Sequence, residues 1–480
     1  MRGDDTPELR PAAEDLLRLP GLRRHLANIA QDLGDGFGCL WILPDPEIGS
    51  GRADRILDEL LSALNNVVEV PRALDTAASG QLPRELGHGI WATGTGAHDS
   101  PGSFDSGFDY DDGFGDWDPP VAARHVTAPA PGKDLAASSV TERLAKELGL
   151  DGDPVAGLTS DAEGRAPVLV IRAWNEDDSV PLSQLLRRLQ AAVKDAGLPP
   201  SRRPRLLIAA RLGDLAVDAL ESLDLSLYRP HWWWSVWSRL DTAILVAEAG
   251  TPFRTVPDRS TPRKHIMEAV RRETVAEVCG PDLLLAASLA ELWTGEIATL
   301  RPLLATCRSS TGAPVQLEEN PAAAYAPAPE PSRRPAWATG LLDSWEGQVR
   351  CTPAEWMARP EGPDRLDKLV WQAQNRILLP LIDDARARII ALLPGVVVRT
   401  VRHVVETYVD RDIREGNGSA TDLGSMELGE IWTAVRHREF RFSRTQRNRI
   451  ATLRTARNKL AHRCPLDDEG LRRLVEELTA

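Results

Sequence analysis

Apolar positions follow two regimes along this chain. In the first 305 or so residues they gather in short, nearly continuous runs, and beyond residue 350 they recur at helical spacing. Gly38-Cys39-Leu40-Trp41-Ile42-Leu43, Val67-Val68-Glu69-Val70, Pro167-Val168-Leu169-Val170-Ile171, Arg205-Leu206-Leu207-Ile208-Ala209 and Thr242-Ala243-Ile244-Leu245-Val246 have strand length and predict buried strands. Ile56, Leu57, Leu60, Leu61 and Leu64 mark an intervening helix, and 182–196 another. Strands alternating with helices predict an α/β unit built on a mostly parallel sheet. The second regime predicts an all-α bundle of four or five helices. Its seams are Leu366, Leu369, Val370, Ala373, Ile377 and Leu378 (with Pro380 kinking or ending that helix, and Ile389 to Leu393 continuing it); Val397, Val398, Val401, Val404, Val405 and Tyr408; Leu428, Ile431, Trp432 and Val435; and Ile450, Leu453, Ala456 and Leu460. A last helix is expected from Asp467, where the acids Asp467, Asp468 and Glu469 suit a helix N-terminus.

Two biased stretches divide the chain. Residues 93–120 carry seven Asp and no Lys or Arg, interleaved with Phe104, Phe108, Tyr110, Phe114 and Trp117. Such a segment buries too little to fold alone and reads as a disordered insert; a phosphate mimic lying on a basic groove is the sharper alternative. The Pro/Ala-rich stretch from 309 reads as a linker. The expected organisation is thus an α/β unit in two parts, 1–92 and 131–308, interrupted by an insert at 93–130; a linker at 309–350; and the helical bundle at 351–480.

Composition narrows the class. The chain has 480 residues, 42% hydrophobic and 26% charged, as expected of a globular protein with two or three domains. No apolar run approaches the roughly 20 residues that cross a bilayer, and the N-terminus lacks the apolar segment of a secretory signal, so a cytoplasmic location is expected. Five scattered Cys predict neither disulfides nor a structural zinc site, and no metal or cofactor is expected. Net charge is 57 − 70 = −13, but residues 436–463 hold ten Arg or Lys against one acid, Glu439. A local stripe of that kind fits a phosphate backbone.

The loop after the first strand, Pro44 to Ala53, has the placement of a phosphate-binding loop. Gly51 takes the second Gly of the G-x-x-x-x-G-K-[ST] pattern, while Pro46, Arg52 and Ala53 replace the first Gly, the Lys and the magnesium-binding hydroxyl. Gly49, Gly51 and Arg52 are the candidates for a degenerate nucleotide site. No carboxylate follows the strand at 168–171, which runs into Arg172. With the helical region 271–295 resembling a lid subdomain, residues 20–305 resemble a STAND-type P-loop NTPase module that has lost its catalytic residues. The run His231-Trp232-Trp233-Trp234-Ser235-Val236-Trp237 reads as core packing, with a ligand or base-stacking platform as the alternative.

The most specific chemistry lies near the C-terminus, in Arg457-Asn458-Lys459-Leu460-Ala461-His462. A guanidinium grips phosphate through paired hydrogen bonds, and an imidazole moves a proton near neutral pH. Arg457 falls near the apolar seam and needs a carboxylate partner or an interface open to phosphate. His462 lies about 140° further round the helix. Pro465 predicts that the helix ends near 462–464, with a fraying last turn that lets His462 swing; otherwise the two groups meet counterparts across a two-fold axis. Arg444, Arg447, Arg454, Lys459 and Arg463 are the candidate RNA contacts.

R457-N-K-L-A-H462 at a helix end, preceded by Leu453-Arg454-Thr455-Ala456 and by the helix around Met426–Ile431, resembles the Rx4–6H motif of HEPN domains across residues 355–480. It is most similar to the HEPN domain joined to a transcript-surveillance endonuclease. That resemblance implies a homodimer formed through the C-terminal bundle and a metal-independent endoribonuclease with Arg457, Asn458 and His462 as catalytic residues. It also implies a toxin or antiviral effector of a bacterial conflict system, restrained by a regulatory or antitoxin partner or by the N-terminal module. The alternative is a non-catalytic HEPN scaffold in such a system.

Overall fold

The computed structural model describes residues 16–72, 139–160, 166–249, 261–306, 325–409 and 423–480. The acidic insert and residues 309–324 of the expected linker lie outside the described residues.

Five parallel strands form the N-terminal sheet: β1 (Gly38–Leu43), β2 (Val67–Glu69), β3 (Val168–Arg172), β4 (Arg205–Arg211) and β5 (Tyr228–Trp232), in the order β2-β3-β4-β1-β5. Every residue of β1 is buried, as its continuous apolar run predicts for a strand covered on both faces. It pairs with β4 through Cys39↔Leu207 and with β5 through Cys39↔Arg229. Four of the five expected strands are present. The fifth expectation is corrected: Thr242–Val246 lies within the helix Arg239–Ala249. A short apolar run does not separate a strand from a buried helix. Asp241 decides the outcome, since its carboxylate accepts from the Ser238 amide at 2.8 Å and so closes the helix start, while also accepting from the Gly21 amide at 2.8 Å. The true fifth strand carries Pro230, which the sheet edge tolerates because one side of that strand needs no ladder donor. Its continuation into the Trp run is core: Trp232, Trp233, Trp234 and Trp237 are all buried, with Trp232 packing edge-on against Trp337 at 5.2 Å.

The linker expectation also needs correction. Residues 334–351 fold as a helical turn, Arg334–Ala338, and a hairpin of β6 (Leu342–Trp345) and β7 (Gln348–Cys351). Glu346 and Gly347 both take positive φ, the turn geometry that suits a two-residue hairpin. Trp337 and Trp345 are fully buried, and the Trp337 indole N–H donates to the Trp233 carbonyl at 2.8 Å. Two large aromatics anchor a segment whose Pro and Ala content suggested none.

The helical half follows its predicted seams except at Val397 and Val398, which precede the helix Val401–Tyr408, Val397 bridging to Phe440 and Val398 exposed. A single helix, Gly362–Val396, runs on through Pro380 and Pro394. Shorter helices follow at Val401–Tyr408, Leu428–Arg436, Arg444–Ala461 and Asp468–Thr479. The two halves are not separate bodies. Leu366, Leu369 and Val370 of the long helix belong to the sheet's core, whereas Leu378, Ile382, Ala385, Ile389 and Leu393 belong to the bundle's core. The helix Thr261–Cys279, expected as part of a lid, spans both in the same way: Val275 and Val278 face the first core and Val270 the second. Among the described residues no helix is long and apolar enough to cross a membrane.

Candidate functional site

The helix Arg444–Ala461 begins in a capping box. The Ser443 hydroxyl accepts from the Gln446 amide at 3.2 Å, and the Gln446 side chain accepts from the Ser443 amide at 2.9 Å. Ile450, Leu453, Ala456 and Leu460 face the core. At 100° per residue, Arg444, Arg447, Arg454, Asn458 and His462 then share an outer arc of about 80°, and Arg457 sits about 60° beyond its edge, between Ile450 and Leu453 of the seam. Arg444, Arg447 and Arg463 are exposed and Arg454 half-buried. Among the described residues no carboxylate pairs with any of these four. Lys459 lies 3.8 Å from Asp467.

The last turn does not fray, contrary to expectation. The Cys464 amide donates to the Lys459 carbonyl at 2.9 Å and the Arg463 amide to the Leu460 carbonyl at 3.2 Å, with Arg463 left-handed at φ 59°. This is the paired closure of a Schellman end. Two side chains of the long helix hold it from below. The Trp371 indole donates to the Leu460 carbonyl at 2.6 Å. Fully buried Gln374 donates to the Leu466 carbonyl at 2.9 Å and accepts the Leu466 amide at 2.6 Å. His462 is the cap residue of this fixed end, its amide donating to the Asn458 carbonyl at 3.0 Å, and its ring is exposed without a hydrogen-bond partner among the described residues. Gln374→Leu leaves the Leu466 N–H and C=O buried and unpaired. It is expected to cost about 2–4 kcal/mol by urea titration, and to loosen the backbone that carries His462.

Arg457 has found the carboxylate its position demanded. Glu427 Oε2 stands 3.6 Å from its guanidinium, with both side chains close to half exposed. Glu427 also caps the helix Leu428–Arg436. Within one chain the structure does not join Arg457 to His462 by any hydrogen bond. The pair faces different sectors of one rigid helix.

The chain matches no protein-family model, no curated protein and no solved structure. Function therefore rests on what these groups can do chemically.

At the N-terminal site the phosphate-loop expectation is corrected. Asp45–Gly49 forms a helical turn whose amides are already used: Glu47 donates to the Pro44 carbonyl at 3.1 Å, Ser50 to Pro46 at 3.2 Å and Gly51 to Ile48 at 2.9 Å. Pro46 and the two acids favour that turn, at a helix N-terminus where acids are welcome. Gly51, at φ 72°, serves as the cap of the helix Arg52–Ser62. Glu47 grips Arg52 through two bonds of 2.8 and 3.0 Å. Gly49, Gly51 and Arg52 thus lie together, with the Ser50 and Gly51 amides and the Arg52 guanidinium already paired within the turn. Arg172, at the end of β3, pairs with Glu69 at 2.6 Å, with Asp54 at 3.3 Å and with Asp58.

Beyond the carboxyl ends of β1 and β5 lies a cavity of about 240 Å³ walled by Trp233, Trp237, Trp337 and Pro46. Its charged rim is Glu47, Asp282 and Asp343 against Arg52 alone, which further disfavours phosphate. Burial raises the Asp282 carboxyl above its usual range and lifts Asp343 to about 7, despite bonds to Asp343 from the Ser235 and Ser344 amides at 3.1 and 2.7 Å. A carboxyl whose folded value lies above its unfolded one binds its proton more tightly when folded. Its ionisation therefore erodes stability as pH rises from about 4 to about 7. Asp343→Asn keeps the acceptor for both amides and should raise the melting temperature at pH 8 while leaving it unchanged at pH 4.

Proposed function

We propose that the C-terminal bundle cuts RNA without a metal, as the resemblance to HEPN domains implies, and that the N-terminal unit regulates or docks it without turning over nucleotide. The reading rests on one observation above all: cations with no carboxylate partner among the described residues, Arg444, Arg447 and Arg454, line the same helical arc as Asn458 and the exposed ring of His462. A backbone laid along that arc would bring its phosphates toward the pinned helix end.

In the proposed reaction His462 takes the proton from a 2′-hydroxyl, or returns one to the leaving 5′-oxygen. The 2′-oxygen then attacks the adjacent phosphorus and leaves a 2′,3′-cyclic phosphate. Arg457 steadies the charge that grows on the phosphoryl oxygens, once phosphate has displaced Glu427. Asn458 orients the phosphate or the imidazole. Because the helix end is rigid and the two groups face different sectors, a complete site takes Arg457 from one chain and His462 from a second across a two-fold axis. Toxicity toward the bacterial cell, relieved by a partner, follows from this reading.

The test is purified full-length chain with total RNA in EDTA. Fragments ending in cyclic phosphate are expected, with no cutting where the scissile 2′-hydroxyl is replaced by hydrogen. Intact RNA defeats the proposal. A second reading is favoured by Glu427, which already occupies Arg457: the bundle is a non-catalytic scaffold that binds RNA or dimerises only. It predicts retained RNA binding with no cleavage.

A further inference from the structure

Three side chains from two consecutive elements and the edge strand converge beside β1. Asp32 comes from the helix Pro20–Gly34, Cys39 from β1 and His231 from β5. The donor atoms of the three side chains lie within 4.8 Å of one another, with His231 Nε2 only 2.9 Å from Asp32 Oδ2. Cys39 and His231 share a sheet face because the β1–β5 register sets Cys39 beside Arg229 and Trp41 beside His231. Asp32 lies over that face from the covering helix.

We propose that Asp32, Cys39 and His231 bind one zinc ion, with water as the fourth ligand. One thiolate, one imidazole and one carboxylate make a donor set that suits zinc in tetrahedral geometry. Among the described residues nothing else uses the sulfur well: it is completely buried, and its contact with the Ile29 carbonyl is long at 3.8 Å. Asp32 and His231 stay partly open to solvent, which gives the ion an entry and the fourth ligand a place. Binding transfers the Cys39 thiol proton to solvent as the thiolate forms on the ion, so one proton is released per ion. The two anionic ligands balance the ion's charge. Arg229, a cation beside them, is turned over the Phe37 ring at 3.9 Å. His25, the next imidazole, is held neutral by burial and accepts the Trp41 indole N–H at 2.9 Å, so it adds no repulsion. The ion would tie the edge strand β5 to β1 and to the helix above, in the way zinc staples small structural sites.

The experiment uses the full chain, dialysed against zinc and then passed over a chelating resin. Elemental analysis should find one zinc per chain in the wild type and loss of that zinc in Cys39→Ser and in Asp32→Asn. Asp32→Asn changes a partly exposed helix residue and keeps the protein folded if the buried Cys39 variant fails. Substitution with cobalt should give a thiolate-to-metal charge-transfer band in the near ultraviolet, absent in Cys39→Ser. Wild type without stoichiometric zinc overturns the proposal, as does equal zinc in wild type and Asp32→Asn, or a cobalt complex without the charge-transfer band.

Discussion

Replacing His462 with Ala should lower single-turnover RNA cleavage by about 10²–10⁴-fold, the usual contribution of one positioned general acid or base. The protein should still fold as the wild type does, because the ring is exposed and has no hydrogen-bond partner among the described residues. Arg457→Ala should cost a comparable factor, about 10²–10³-fold, as expected for loss of one donor to transition-state charge. Arg457→Lys should not restore it, since an ammonium lacks the planar two-donor fork. Glu427→Gln should instead favour cutting by freeing the guanidinium. Mixing the two inactive proteins separates the site's possible arrangements. If each site takes Arg457 from one chain and His462 from the other, a mixed dimer of His462→Ala and Arg457→Ala rebuilds one intact site, and activity returns that neither variant has alone. If both groups act within one chain, the mixture stays inactive. Cleavage unaffected by either substitution would remove these residues from the chemistry altogether.

What the sequence made legible, and what it hid, follows from the range of the interactions involved. Continuous apolar runs announced β1, β3 and β4 because strands buried on both faces need nothing else. The run at Thr242–Val246 misled because its state is fixed by Asp241, which reaches back more than two hundred residues to Gly21. The hairpin at 342–351 reads as linker because it follows a Pro/Ala-rich stretch, and the segment's anchor is a Trp337 bond to the Trp233 carbonyl. At the C-terminal site the motif, the basic stripe and the helix end were all local and therefore readable. Their supports were not. Trp371, Gln374 and Glu427 act on residues 30 to 92 positions away, and no local pattern marks a Gln that clamps a distant loop. The group formed by residues 32, 39 and 231 was invisible for the same reason: spacing rules find metal ligands only within a segment. The phosphate loop failed in a different way. Its departures from pattern were visible, but not that Glu47 would turn them into a closed helical turn gripping Arg52.

Glu277→Ala is expected to be the most damaging single change to stability, at about 3–5 kcal/mol, the cost of breaking a buried ion pair on one side. Glu277 is 1% exposed. Its carboxylate meets Arg350 and Arg239, lies 3.0 Å from Arg376, and its own carbonyl accepts from Arg350 at 2.7 Å. Glu273 shares two of these cations, at 2.6 Å from Arg239 and in contact with Arg376. Those arginines come from the helix beyond β5, from the hairpin and from the long helix of the bundle, so one carboxylate joins the two cores. Burial by itself would raise the Glu277 pKa, but Arg350 and Arg239 outweigh it and hold the group at about 2. A depressed carboxyl stabilises fully above its unfolded value near 4.3 and loses that contribution as pH falls toward about 2. Wild type should therefore lose stability steeply across that interval, and Glu277→Gln, already lacking the charge, should lose less. Because the network is buried, salt should change neither result much. Removing the carboxylate also leaves Arg350 without a carboxylate among the described residues, and Glu273 alone to hold Arg239 and Arg376, at the joint between sheet and bundle. The variant should then melt in two transitions where the wild type melts in one. A variant melting as one unit, within about 0.5 kcal/mol of wild type, would show that apolar packing along the helices 261–279 and 362–396 holds the halves together without it.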